Sequence, residues 1–116
     1  MSLCYTTAMD LTQKKCVACD GGMPPLNKIE ADVLLKQLKP YWSVSSDAKQ
    51  LNKAFKFKDW QEAFTFVRKI SEIAESEGHH PDIDLHWGHV GVALTTHAIN
   101  GLSENDFIVA AKIDQL

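Results

Sequence analysis

A chain of 116 residues with 45% hydrophobic and 23% charged residues suits one compact soluble domain with a single core. Its formal net charge is -3 and it holds no basic cluster, which argues against direct nucleic-acid binding, an activity that needs phosphate neutralisation. No apolar run approaches the roughly 20 residues of a membrane span, and the N-terminus lacks a secretory pattern, so a cytoplasmic protein with no membrane partner is expected.

The charge is unevenly spread. Residues 1–58 carry 9 Lys and Arg against 5 Asp and Glu, and residues 59–116 carry 3 against 10. Opposite halves of this kind can help subunits dock, and a chain this short gains stability from oligomerisation. Residues 1–25 read as an irregular leader, with turn and breaker signals at Asp20-Gly21-Gly22 and Pro24-Pro25, ahead of a single domain over 26–116. The leader holds all three cysteines, Cys4, Cys16 and Cys19. An odd number confined to a tail is no disulfide framework, and a lone Cys-x-x-Cys at 16–19 is weak grounds for metal or redox chemistry. Free thiols are the simplest reading.

Asn27 is placed to cap a first helix whose Ile29, Val33, Leu34 and Leu38 fall at helical spacing, and Pro40 ends it. A short strand from Trp42 to Ser45 and a turn at Ser46-Asp47 follow. The next strand puts Leu51, Phe55 and Phe57 on one face; Lys53 breaks that pattern and is expected toward an edge. Asp59 caps a long second helix running to about Glu77, with an apolar stripe of Trp60, Ala63, Phe64, Val67, Ile70 and Ala74 widened by Phe66 and Ile73. Gly78 ends it in a left-handed conformation. Ile83, Leu85 and Trp87 alternate in a third strand, and Val90, Val92 and Leu94 in a fourth. Ser103 with Asp106 resembles a capping box opening a last helix, whose apolar side is Phe107, Ile108, Ala111 and Ile113. Two strand pairs with short connections favour antiparallel hairpins, and helices on one sheet face give an α+β sandwich.

All five histidines lie between positions 79 and 97. His79 and His80 sit at a helix-to-strand junction with Pro81, and His97 follows Thr95 and Thr96 just past the last strand. If strands three and four form a hairpin, these three converge at one edge of the sheet, where loops on rigid elements collect functional groups. His86 and His89 flank the opposite turn and read as surface residues. A solvated, idle histidine pair fits the same pattern. Zinc held by Glu75, His79 and His97 is a rival use, but a helix broken at Gly78 spoils that alignment.

The stretch Glu75-Ser-Glu-Gly-His79-His80-Pro81, then Trp87, His97 and Asp106, with intervals of three, five, nine and eight residues, resembles the signature of the pterin-4a-carbinolamine dehydratases. Thr95-Thr96-His97 followed by Gly101-Leu102 is similar to another segment of that family. The resemblance covers about residues 26–116. It implies a four-stranded antiparallel sheet with three helices packed on one face, assembled as a homodimer or homotetramer. It also implies dehydration of 4a-hydroxytetrahydrobiopterin to quinonoid dihydrobiopterin, a step in tetrahydrobiopterin recycling, with no cofactor and no metal because no redox change occurs. The implied catalytic residues are His79, His80 and His97. Gly78, Pro81, Trp87, Thr95, Thr96 and Ala98 join them in binding the pterin, with Trp87 as an apolar wall or as sheet core. Glu75 and Asp106 are supporting residues; Asp106 either orients His97 or simply caps its helix. An aromatic amino-acid hydroxylase is an implied partner. A binding or coactivator role, known for animal relatives, and a place in another pterin or molybdopterin pathway are the alternatives.

Overall fold

Local capping decides where the helices start. In the computed structural model, which describes residues 11–17 and 24–116, the Asn27 side chain accepts the Glu30 N–H at 2.8 Å while Glu30 accepts the Asn27 N–H at 2.9 Å. Helix α1 (Lys28–Leu35) starts there. Asp59 caps α2 (Trp60–Glu77) by accepting the Glu62 N–H, and Gly78 closes it at φ 66°, a conformation that disfavours side chains with a Cβ. Helix α3 (Glu104–Ile113) follows Ser103. The strands are β1 (Ser43–Val44), β2 (Leu51–Lys56), β3 (Asp82–His86) and β4 (His89–Leu94). Two 3-10 turns, Leu11–Gln13 and His97–Ile99, complete the described elements. Cys4, Cys19 and the Asp20-Gly21-Gly22 turn lie outside the described residues.

The four strands form one antiparallel sheet in the order β1-β2-β4-β3. Register aligns Leu51 with Leu94, Lys53 with Val92 and Ile83, and Phe55 with Val90 and Leu85. These side chains share the face that the three helices cover. The other face carries Asn52, Ala54, Gly91, Ala93, Asp82 and Asp84, a polar and small-residue surface. Helix α3 is buried all round, from Asn105 to Ala111 and at Ile113, because α1, α2 and the Leu11–Gln13 turn enclose it against the sheet.

Several expectations need correcting. The apolar side of α1 is Ala31 and Leu34, whereas Ile29 is 75% and Val33 57% exposed. A helix of eight residues has only about two turns to pack, and Ala31 and Leu34 face the core. The core stripe of α2 is Ala63, Phe66, Ile70 and Ala74, which leaves Trp60 and Phe64 half-exposed. Lys53 is not at an edge, since β2 is an inner strand. Its ammonium lies 3.0 Å from the buried Asp114 carboxylate and against the Trp42 and Phe55 rings, which compensates a cation placed on the core face. Trp42 lies outside β1 and is buried, donating its indole N–H to Asp114. Trp87 is in the β3–β4 turn rather than on the strand, and is 70% exposed.

Candidate active site

Two helix ends and one pinned loop build the site. After Gly78 turns the chain out of α2, the His79 N–H still bonds the Ala74 carbonyl at 3.2 Å. The His79 Nε2 then meets Asp106 Oδ1 at 2.6 Å. Asp106 is fully buried at the third position of α3, and its other oxygen accepts from the Thr96 hydroxyl at 2.8 Å and from the Ser103 N–H at 3.0 Å. One carboxylate therefore closes a capping interaction and holds an imidazole. An ionised carboxylate only accepts hydrogen bonds, so the imidazole N–H that faces it is on Nε2, and in a neutral ring Nδ1 then keeps the lone pair. His80 is half-exposed, and its Nε2 pairs with Glu75 Oε2 at 2.5 Å.

His97 lies in the 3-10 turn that follows β4. Thr96 and Gly101 bridge the base of this loop, with the Thr96 N–H to the Gly101 carbonyl at 2.8 Å. Asn100, at φ 54°, reverses the chain between them. A Cβ on Gly101 would sit 2.7 Å from the Pro25 ring, so only glycine permits this close approach. The Thr95 hydroxyl adds a bond to the Lys49 carbonyl at 2.7 Å.

Gly78, His79, His80, Thr95, Thr96, His97 and Ala98 all line one cavity of about 320 Å³, within the size range of small-molecule sites. Glu75 and Asp106 stand behind His80 and His79 respectively; Asp106 does not bond His97. Pro81 and Trp87 are not among the cavity's walls. Trp87 lies at the far end of the β3–β4 hairpin, where His86 and His89 stack at 4.3 Å on the surface. Among the described residues no group of three His, Cys, Asp or Glu side chains is arranged to hold a metal ion. A larger cleft of about 630 Å³ floored by Phe55, Phe57 and Phe66 is lined by lysines, Glu62 and Asp114 and contains no histidine.

Two further walls, Val17 and Asn105, carried no local signal for Val17 and only a faint one for Asn105, a buried amide opening an otherwise apolar helix. Beside them lies a polar cluster. Glu77 takes the Lys112 ammonium at 2.5 Å and the Cys16 N–H at 2.8 Å. Burial works to raise the Glu77 carboxyl, but the Lys112 hydrogen bond and charge, with the Cys16 N–H, bring it below the ordinary range. Burial, then the Glu77 charge, pushes the Cys16 thiol up to about 12.

The layered sheet and the carboxylate-held histidines define a small α+β protein with three imidazoles around one cavity. The sequence model described as "Pterin 4 alpha carbinolamine dehydratase" matches residues 24–116. A protein of Methylococcus capsulatus named "Putative pterin-4-alpha-carbinolamine dehydratase" is 50% identical over 109 residues, covering 94% of this chain and 95% of that one. A protein of the same name from Halorhodospira halophila is 47% identical, covering 93% and 98%. The crystal structure of a "transcriptional coactivator/pterin dehydratase" from Brucella melitensis superposes with a TM-score of 0.73 at 32% identity, over 78% of this chain and 96% of that chain. The chain belongs to the pterin 4 alpha carbinolamine dehydratase family.

Proposed function

We propose that this protein dehydrates 4a-hydroxytetrahydrobiopterin to quinonoid dihydrobiopterin. The observation that carries the reading is the meeting of His79, His80 and His97 in one cavity, two of them held by carboxylates. In the reaction the C4a hydroxyl takes a proton and leaves as water, the N5 proton is removed, and the C4a–N5 bond becomes double. No electrons enter or leave. Imidazole is the side chain that exchanges protons near neutral pH without special tuning. His79 and His80 handle protons around C4a, and His97 positions the ring from the other side.

With this activity the protein would serve tetrahydrobiopterin recycling beside an aromatic amino-acid hydroxylase; a cytoplasmic homodimer or homotetramer is part of the same proposal. No described helix is long and apolar enough to cross a membrane. Trp60 and Phe64, one turn apart and each 47% exposed, give α2 an apolar strip suited to helix-to-helix assembly. Stopped-flow assay of 4a-hydroxytetrahydrobiopterin dehydration tests the reading. Wild type should accelerate the loss of water, and His80→Ala, an exposed substitution, should lower kcat by about 100-fold or more. An unchanged rate in His80→Ala overturns the assignment.

A further inference from the structure

The family match begins at residue 24, yet one wall of the histidine cavity comes from the preceding segment. Residues 11–17 run as a strap over the ends of the two helices that build the site. Leu11 is buried at one end. Lys14 pairs with Glu104 at 2.6 Å, and the Cys16 N–H bonds Glu77 at the last turn of α2. Val17, the last described residue of the strap, is held by a two-point clamp. The Val17 N–H donates to Asn105 Oδ1 at 3.0 Å, and Asn105 Nδ2 donates to the Val17 carbonyl at 2.6 Å. Asn105 is 5% exposed and adjoins Asp106, so the clamp and the His79 support share one helix turn.

The clamp fixes the Val17 backbone while the Val17 side chain stays 65% exposed at the cavity. An apolar side chain with this much exposed surface, beside walls that are mostly polar apart from Ala98 and Gly78, has area to give to a ligand. A flat heterocycle needs such a surface, and Trp87 is too far away to supply it. We infer that Val17 is a substrate-binding residue, packing on the apolar face of the bound pterin ring, and that Asn105 is the positioning residue that holds it there. The inference rests on reading the cavity as a pterin site.

The full-length protein tests it in two measurements: calorimetric titration with 7,8-dihydrobiopterin, a stable pterin, and steady-state dehydration kinetics. Val17→Ala removes two exposed methyl groups and should leave the melting temperature unchanged. It should weaken dihydrobiopterin binding and raise KM by about 3- to 10-fold, with kcat within about twofold of wild type. Asn105→Ala should show the same KM-against-kcat split together with faster amide exchange at Val17, a change that simple loss of stability across the whole fold would not confine to the strap. If wild type binds the pterin and Val17→Ala binds it equally well, the strap inference fails while the functional reading stands. If wild type binds the pterin without dehydrating the carbinolamine, the functional reading fails and the Val17→Ala titration still decides the strap. If wild type binds no pterin, both fall.

Discussion

Replacing Asp106 separates the two tasks that one carboxylate performs. It accepts from His79 Nε2, the Thr96 hydroxyl and the Ser103 N–H while fully buried. Asp106→Ala strands the Ser103 N–H and the His79 N–H, because the Thr96 hydroxyl keeps Ser103 Oγ at 2.8 Å. Each stranded donor costs about 1–3 kcal/mol, so with two of them the alanine variant should lose about 2–6 kcal/mol. That is a large part of a small domain's total of about 5–15 kcal/mol. Asp106→Asn keeps the volume and one acceptor. If its oxygen serves Ser103 and Thr96, its NH2 group faces His79 Nε2, which must then accept, and the imidazole is driven into the opposite tautomer. If the oxygen serves His79, the NH2 group faces the Ser103 N–H, donor against donor. Either arrangement should cost about 1–3 kcal/mol in urea denaturation, less than the alanine variant. With His79 in the wrong tautomer or shifted, kcat for dehydration should fall by about 100-fold. A folded Asp106→Asn variant with wild-type kcat refutes the orienting role and leaves Asp106 as a helix cap alone.

Other consequences are as direct. With its thiol pushed to about 12, Cys16 holds roughly a thousandfold less thiolate than an ordinary cysteine, so mass-spectrometric mapping after iodoacetamide at pH 8 should find it unmodified until the protein is unfolded. Folding keeps this thiol protonated above its unfolded value, so its contribution to stability is complete below about pH 9 and is lost as pH rises toward 12; melting temperature followed over that range checks the sign. Gly101→Ala drives a Cβ against Pro25 and should cost about 1–3 kcal/mol in thermal unfolding; a neutral result would show that the Pro25 segment yields freely. Asp114 accepts from the Lys39 N–H, Trp42 Nε1 and Lys53 Nζ while 4% exposed. Asp114→Ala should cost about 3–5 kcal/mol, and adding Lys53→Met should recover part of it by removing the unpaired buried ammonium; no recovery would show that the ion pair is not the cause.

Where a feature is decided by neighbours in sequence, the chain could be read directly. Asn27 and Asp59 announce helix starts, Gly78 an end, and alternation marks β2 and β4, because caps and pleats depend on residues within a few positions. The α+β sheet with its three helices follows from those elements. Features set by distant partners are not written in local sequence. Lys53 looked like an edge residue because Asp114, its counter-ion, is 61 positions away. Ile29 and Val33 were assigned to the core although Ala31 and Leu34 face it, since an eight-residue helix with apolar side chains on two faces does not declare which one packs. Trp87 continued the alternation of β3 but falls in the turn, where the strand has ended. In the site, the placement of His79, His80 and His97 around one cavity follows from hairpin geometry. The partner of Asp106 and the clamp between Val17 and Asn105 depend on contacts between segments far apart in the chain, which spacing does not encode.

Joint action of His79, His80 and His97 on one pterin can be tested by seeing where the pterin binds. The most direct measurement is a crystal structure of the protein with 7,8-dihydrobiopterin bound. The pterin ring should lie in the cavity of His79, His80 and His97, with the C4a and N5 edge within hydrogen-bond reach of at least two imidazoles. A pterin seated instead in the cleft over Phe55, Phe57 and Phe66, with the histidine cavity empty, would contradict it.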